Sequence, residues 1–307
     1  MIEVAGLRKC YGDFTAVDGI SFTVPRGEVF GFIGPNGAGK TTTMRVLATL
    51  LEPTEGSARV AGLDVVEFSE EVKRLVGYMP DHAGVYDGLD VVEYLEFFAA
   101  AYSIPRPRRA AVIADVMDLT DLGELRHRPV SGMSKGMRQR LMLAKTLLHD
   151  PQVLILDEPA AGLDPRARIE LRALLKELAS MGKTILVSSH ILTELADMCT
   201  SVGIVEKGRL HAAGTVASIL GQLNPGRTMR LRTGDPVKAV PALRSFASVE
   251  VLDSGERWVT FRHDGEEDEI GDVVRALAIC GVPVLGLEEE KADLEDLFLR
   301  LTRGEVQ

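Results

Sequence analysis

The sequence predicts an α/β fold: a parallel sheet core with an antiparallel β layer, an inserted helical subdomain and a small C-terminal α+β domain. The main observation is a repeated alternation of an apolar strand pattern with a helical pattern. The paired segments are "EVFGFIG" with "KTTTMRVLATLL", "VLILDEP" with "ARIELRALLKELASM", and "KTILVSSH" with "ILTELADMC". In addition, residues 91–148 read almost entirely as helix, which predicts a helical subdomain at about residues 88–150.

The other segments complete two domains. At the N-terminus, "MIEVAGLRK", "GISFTVPRG" and "GSARVAGLDV" look like short strands between glycine turns, which predicts the antiparallel β layer. "GQLNPGRT", with Gly221, Asn224, Pro225 and Gly226, predicts a domain boundary. We therefore expect a first domain over residues 1–220 and an accessory domain over residues 225–307. In the accessory domain, strand-like "MRLRT", "SVEVLD" and "WVTFRH" mix with helical "GDVVRALAIC" and "DLEDLFLRLT".

Composition narrows the possible functions. The 307 residues carry a formal net charge of −10, which argues against binding to duplex nucleic acid, because proteins that bind it usually carry a basic face. No apolar stretch reaches the roughly 18 residues of a membrane-spanning helix, and the N-terminus lacks a signal pattern. We therefore expect another chain to supply any membrane part. The cysteines, Cys10, Cys199 and Cys280, lack metal-ligand spacing, which favours a reducing cytoplasm.

A phosphate-binding loop is the most specific motif. "GPNGAGKT", Gly34 to Thr41, matches the P-loop pattern and lies between a predicted strand and a predicted helix, as this motif requires. Its backbone N–H groups would converge on phosphate oxygens, Lys40 would reach the β- and γ-phosphates, and the Thr41 hydroxyl would ligate Mg²⁺. The alternative is a glycine turn before a helix, and the flanking elements favour nucleotide binding.

A second motif supplies acidic groups. In "VLILDEP", Asp157 and Glu158 follow four apolar residues, and ligands of open α/β sheets gather at the carboxyl ends of strands. Asp157 could reach Mg²⁺ and Glu158 could polarise an attacking water. The alternative is a buried strand that ends in solvated acids.

In this order the motifs resemble the ATP-binding cassette of ABC transporters, over about residues 1–220. The resemblance implies that "GPNGAGKTT" is the Walker A motif, "VLILDEP" the Walker B motif and "AGLDP" the D-loop. It makes Glu158 and His190 catalytic, with His190 the switch histidine, and Thr41 and Asp157 the Mg²⁺ ligands. Tyr11 would stack on adenine, although a core tyrosine is the common alternative. The nucleotide-binding residues implied are Tyr11, Gly34, Pro35, Asn36, Gly37, Ala38, Gly39, Lys40, Thr41, Thr42, Asp81, Ser134, Gly136 and Asp164.

"MSKGM", residues 133–137, stands where the family has its signature sequence, most often Leu-Ser-Gly-Gly-Gln. The resemblance implies that Ser134 and the backbone of Gly136 serve the γ-phosphate of ATP bound to another subunit, so that the working unit is a dimer. Lys135 and Met137 depart from the usual glycine and glutamine. Asp81 replaces the glutamine of the family's Q-loop, and an ionised aspartate can only accept hydrogen bonds.

The resemblance implies an ATPase subunit of an ABC transporter that uses ATP and Mg²⁺, and the C-terminal extension favours an exporter. The expected partners are a membrane-spanning permease and a second ATPase subunit, with a homodimer expected. The expected location is the cytoplasmic face of the cell membrane, held there by the permease, and no nucleic acid partner is expected. Two alternatives are a soluble ABC protein acting on ribosomes or nucleic acid, and a nucleotide-binding regulatory module without turnover.

Overall fold

In the computed structural model, the described residues are 1–82, 84, 86, 88–190, 198–216, 218–219 and 227–289. The chain divides into two compact units, Met1–Val216 and Ala217–Arg300. The predicted boundary residues 221–226 lie outside the described residues, as do most of "ILTELADMC" and all of "DLEDLFLRLT". No helix in the described part of the chain is long and apolar enough to span a membrane.

The first unit contains a four-stranded antiparallel sheet in the order β2-β1-β4-β5. Its strands are β1 (Ile2–Tyr11), β2 (Phe14–Val24), β4 (Glu55–Val60) and β5 (Leu63–Asp64). A six-stranded sheet follows the order β10-β9-β3-β8-β7-β6 and is parallel except for β10. Its strands are β3 (Val29–Ile33), β6 (Val76–Met79), β7 (Val153–Leu156), β8 (Thr184–Ser189), β9 (Ser201–Glu206) and β10 (Arg209–Thr215).

Aromatic side chains join these two sheets. Phe22 of β2 lies with its ring centroid 5.2 Å from that of Phe30 and 5.4 Å from that of Phe32, both on β3. All three side chains are buried in one core, and aromatic contacts of this kind add to the free energy gained by burying apolar area. The strands β3, β7, β8 and β9 are buried throughout, as expected for parallel strands covered on both faces.

The helices of the first unit cover the parallel sheet and form the predicted helical subdomain. Those within the described residues are α1 (Lys40–Leu47), α2 (Ser69–Leu75), α3 (Val91–Ala101), α4 (Arg106–Leu119), α5 (Lys135–Leu147) and α6 (Pro165–Ser180). The predicted helix "KTTTMRVLATLL" ends early, at Leu47, because Thr49 adopts the left-handed conformation (φ 60°) that commonly terminates helices. Residues 120–134 are not α-helical, so the subdomain contains a longer connection than the sequence predicts.

Over residues 227–289, the second unit has the order strand, helix, strand, strand, helix, strand. Its elements are β11 (Arg227–Thr233), α7 (Pro236–Arg244), β12 (Val249–Ser254), β13 (Trp258–His263), α8 (Glu267–Ile279) and β14 (Val284–Glu289). The antiparallel sheet order β12-β13-β11-β14 is that of the ferredoxin-like arrangement. Its core includes Leu231, Leu243, Phe261 and Leu277, which come from both helices and the two central strands.

Candidate functional site

The loop Gly34–Gly39 connects β3 to α1, and close contacts require glycine at both of its ends. A Cβ atom at Gly34 would lie 2.1 Å from the carbonyl oxygen of Val205, and one at Gly39 would lie 2.6 Å from that of Ala16. Gly39 also has a φ of 99°, which side-chain-bearing residues rarely adopt. The carbonyl of Ala38 accepts a 3.1 Å hydrogen bond from the N–H of Gly208. The loop is therefore held in one shape between β2 and the β9–β10 hairpin.

Lys40 is the first residue of α1 and its side chain is only 6% exposed. The ammonium donates hydrogen bonds to the carbonyls of Gly34, at 2.7 Å, and Pro35, at 3.2 Å, so it curls back over the loop. It also lies 3.3 Å from Oε1 of Glu158. The cation that would meet a phosphate is therefore paired with a carboxylate of the same site.

Asp157 is buried at the carboxyl end of β7 and accepts two hydroxyl hydrogen bonds. Thr41 donates to one carboxylate oxygen at 2.7 Å and Ser188 donates to the other at 2.7 Å. A hydroxyl and a carboxylate are hard oxygen ligands of the kind Mg²⁺ prefers, and Mg²⁺ usually takes few protein ligands together with substrate phosphates. The described residues hold no group of three or more His, Cys, Asp or Glu that could bind a metal ion alone. Thr41 and Asp157 therefore fit a Mg²⁺ ion that arrives with a nucleotide.

Glu158 follows in a strained conformation, with a φ of 50°. Its N–H donates to the Ser188 hydroxyl at 2.8 Å. Its carboxylate is 11% exposed and lies between two cationic or potentially cationic groups, Lys40 at 3.3 Å and Nδ1 of His190 at 2.8 Å. Oε1 makes its ion pair with Lys40 without a hydrogen bond of good geometry. Strained residues cluster at functional sites, and this one carries the predicted catalytic carboxylate.

Ser188 was not identified from the sequence, although it contacts both acidic residues. Its hydroxyl donates to Asp157 and accepts from the N–H of Glu158, which fixes the end of β7. The contact depends on β7 and β8 being neighbours, with Leu156 paired to Val187. A hydroxyl at the end of an apolar strand is the only sequence signal, and it does not indicate which strand lies alongside.

The signature residues lie at the N-terminus of α5, beside that of α6. Ser134 is the N-cap of α5 and its hydroxyl accepts the N–H of Met137 at 3.3 Å, while Asp164 caps α6 by accepting the N–H of Ala167 at 2.9 Å. A Cβ atom at Gly136 would lie 3.6 Å from that of Ala167. Ser134, Gly136 and Asp164 line one cleft of about 320 Å³, and neither Lys40 nor Thr41 is among the residues that line it.

Within the described residues, the predicted site residues thus form two groups. Lys40, Thr41, Asp157, Glu158 and His190 contact one another, and the signature and D-loop residues form the second group. The two groups are linked by Gln139 of α5. Its buried amide donates a 2.6 Å hydrogen bond to the carbonyl of Pro159, the residue after Glu158, the predicted catalytic glutamate.

Asp81 borders the first group, and Tyr11 lies at the end of β1. Asp81 is 43% exposed, its carboxylate is 2.8 Å from Nδ1 of His82, and it lines a cleft of about 560 Å³ together with Lys135 and Glu158. Tyr11 ends β1 with its ring 47% exposed, and the ammonium of Lys9 lies 5.4 Å from the ring centroid. An exposed ring is available for stacking, whereas the alternative of a core tyrosine requires burial. Thr42 is half-buried on α1, and Asn36 and Gly37 are exposed at the loop tip.

The chain is similar to known proteins over nearly its whole length. The ABC transporter family pattern matches residues 17–161. A Nod factor export ATP-binding protein I of Ralstonia nicotianae is 33% identical over 100% of this chain and 95% of its own length. The chain belongs to the ATP-binding proteins of ABC transporters. A daunorubicin/doxorubicin resistance ATP-binding protein, DrrA of Streptomyces peucetius, is 36% identical over 98% of this chain and 92% of its length.

Solved structures agree with this family. An ATP-binding subunit of an ABC transporter matches 73% of this chain and 93% of its own, with a TM-score of 0.66 and 32% identity. A dimeric ATP-binding cassette in a post-hydrolysis state, bound to ADP and Pi, shares the fold with a TM-score of 0.64. The match covers 70% of this chain and 99% of that chain, at 21% sequence identity. The predicted fold class, ATPase activity and resemblance to drug-export-type ABC ATPases are confirmed. The roles of individual site residues stay predictions.

Proposed function

We propose that this ATPase drives export of a substrate through a separate membrane-spanning permease. The observation that carries the proposal is the contact of Lys40, Thr41, Asp157 and Glu158 around a glycine loop that is shaped for phosphate. The relatives' names support export, because they describe Nod factor export and resistance to daunorubicin and doxorubicin. The permease would hold the protein at the cytoplasmic face of the membrane.

In this proposal, the loop from Gly34 to Gly39 and the first residues of α1 bind the triphosphate of ATP. Lys40 neutralises the β- and γ-phosphates, while Thr41 and Asp157 hold Mg²⁺, which would offset negative charge that develops on the phosphates. Thr42 binds phosphate from the first turn of α1, and Tyr11 stacks on adenine. When the phosphate binds Lys40, the ion pair between Lys40 and Glu158 breaks.

Glu158 then acts as the general base, accepting a proton from the water that attacks the γ-phosphate. His190 contacts the γ-phosphate and, through its 2.8 Å contact with the carboxylate, positions Glu158. Asp81 lines the cleft beside Glu158 and connects the nucleotide site to the helical subdomain. We propose that it transmits the state of the site to the permease rather than binding Mg²⁺ as a principal ligand.

The second group of residues completes the ATP site of another subunit in a homodimer. Ser134, the backbone of Gly136 and Asp164 lie at two adjacent helix N-termini, whose partial positive charge favours an anion. The cleft that they line does not include Lys40 or Thr41 of the same chain, which supports a role in trans. ATP would then lie between the Walker A motif of one subunit and the signature of the other.

Two variants test the proposal. Glu158→Gln keeps the size of the side chain and removes its basicity, so ATP hydrolysis should fall by roughly 10²–10⁴-fold, the scale of general-base catalysis. With ATP, this variant should accumulate as a dimer in gel filtration. Adding Ser134→Arg to the Glu158→Gln protein places a bulky, positively charged side chain at the signature. The double variant should not form the dimer, while its monomer should still bind ATP.

Ser180→Arg is the matched control, because Ser180 is an exposed residue at the far end of α6. Ser134→Arg also removes the N-cap of α5, which should lower the free energy of unfolding by about 1 kcal/mol. Thermal unfolding of each variant measures this loss of stability separately from the loss of dimerisation. Equal dimerisation of the Ser134→Arg and Ser180→Arg proteins would refute the role of the signature.

A further inference from the structure

Arg140 of α5 joins three parts of the first unit through one side chain. Its guanidinium contacts the carboxylate of Asp121, in the connection between α4 and α5, with 2.6 Å between nitrogen and oxygen. The other end of the guanidinium contacts the carboxylate of Glu170 on α6. A guanidinium is a rigid, planar fork with donors at both ends. The side chain therefore fixes the distance between the elements that it joins.

Glu170 is held in place on its own helix as well. Its second carboxylate oxygen accepts a 3.0 Å hydrogen bond from Arg166, which lies one turn earlier on α6. The carboxylate thus has one cationic partner on α5 and one on α6. This contact lies close to the two helix N-termini that Ser134 and Asp164 cap. Arg140 and Glu170 both line the cleft of about 320 Å³ that contains these two caps.

Packing between α5 and α6 is loose beyond their first turns. At the first turns, a Cβ atom at Gly136 would lie 3.6 Å from that of Ala167. Further along, residues of both helices line a cavity of about 180 Å³, and Arg140 and Glu170 are among them. The apolar part of its lining consists of Leu119, Leu143, Leu163, Leu171 and Leu174. Because a cavity replaces the close packing that normally fixes the spacing of two helices, the spacing depends on the ion pair.

We propose that Arg140 and Glu170 are positioning residues of the shared ATP site. Their ion pair holds the N-termini of α5 and α6 at the spacing that nucleotide bound to the partner subunit requires. The inference rests on the proposed role of the signature. Because carboxylates engage both ends of the guanidinium, Arg140 acts through the two helices and does not itself bind phosphate. Without the ion pair, dimer closure would have to order the two helices, which costs conformational entropy.

The test measures the ATP concentration at half-maximal dimerisation by analytical ultracentrifugation, with full-length protein carrying Glu158→Gln. Arg140→Gln and Glu170→Gln should each need about fivefold more ATP, the upper end of the range for a partly exposed ion pair. The protein with both changes should need no more ATP than either single variant, since both remove the same contact. The difference between Glu170→Gln and the parent should shrink as salt rises.

Two variants are matched controls. Asp121→Asn removes the other partner of Arg140 and leaves the link to α6 intact. Glu177→Gln removes one negative charge at an exposed position of α6. Both should dimerise like the parent. Partly exposed ion pairs contribute little to global stability, so the melting temperature and the nucleotide affinity of the monomer should be nearly equal in all variants. These two measurements separate positioning from a general structural role.

The inference would be wrong if Glu170→Gln dimerised as readily as the parent, or if Asp121→Asn or Glu177→Gln weakened dimerisation equally. A large loss of thermal stability or of monomer nucleotide affinity would show that Arg140 and Glu170 support the fold instead. If the Glu158→Gln parent itself does not dimerise with ATP, the proposed role of the signature fails, and the inference fails with it.

Discussion

Replacing Glu158 with glutamine should strengthen the binding of a non-hydrolysable ATP analogue. In the structure the Glu158 carboxylate forms an ion pair with the Lys40 ammonium, with 3.3 Å between nitrogen and oxygen and both side chains nearly buried. At this distance the attraction is about 5 kcal/mol for an effective dielectric constant of about 20. ATP must displace that carboxylate from Lys40 and then tolerate its negative charge beside the γ-phosphate. Glutamine removes both obstacles while it keeps the shape of the side chain.

The net gain is smaller than the Coulomb energy, because glutamine can still accept a hydrogen bond and water can solvate the freed ammonium. We expect about 1–2 kcal/mol, which is about five- to thirtyfold in affinity. Isothermal titration calorimetry with the Mg²⁺-bound analogue, at protein concentrations that keep the chain monomeric, measures this directly. Glu177→Gln, at an exposed position of α6, controls for the loss of one negative charge. Equal or weaker binding by Glu158→Gln would show that the Lys40–Glu158 contact does not compete with phosphate.

Lys40→Ala should reduce nucleotide binding to near the detection limit in the same titration, and unchanged affinity would contradict the assignment of the phosphate loop. Asp81→Ala should leave Mg-ATP affinity within about threefold but lower transport-coupled ATPase activity in the complex with the permease. Asp81→Gln should be tolerated in both measurements. If Asp81→Ala instead loses Mg-ATP binding, Asp81 is a principal metal ligand. Gly34→Ala should destabilise the first unit by at least about 2 kcal/mol in thermal unfolding, because its Cβ would collide with the carbonyl of Val205. Gly132→Ala has open space around it and should be nearly neutral, so similar melting of the two variants would refute the packing argument.

The elements that carry the nucleotide site could be predicted because their signals are local. The loop before Lys40 has its glycines in one short segment, and Asp157 and Glu158 directly follow a wholly apolar strand. Parallel strands place such residues at one edge of the sheet, whatever the exact strand order. The general position of these groups therefore followed from the sequence, whereas the pairing of Lys40 with Glu158 did not.

Features that depend on strand order or on irregular sequence could not be predicted. Ser188 contacts Asp157 only because β8 lies next to β7. In the second unit, α7 was missed because Pro241 lies inside the helix, where proline is normally unfavourable. The strand β14 was missed as well, since Gly286 interrupts a short apolar segment that is only partly buried.

The hydrogen bond from Gln139 to Pro159 has a consequence for how two active sites could influence each other. One end of this contact belongs to the helix that, in the proposed dimer, would dock on the neighbour's nucleotide, and the other adjoins Glu158, the predicted catalytic glutamate of the same chain. In a symmetric pair of chains, closing one interface would pull on α5 and, through a single amide, on the residue that follows Glu158 in the same subunit. In the proposed dimer, each subunit would then report the occupancy of its neighbour's site to its own Glu158, and alternation between the two sites would need no signal through the permease.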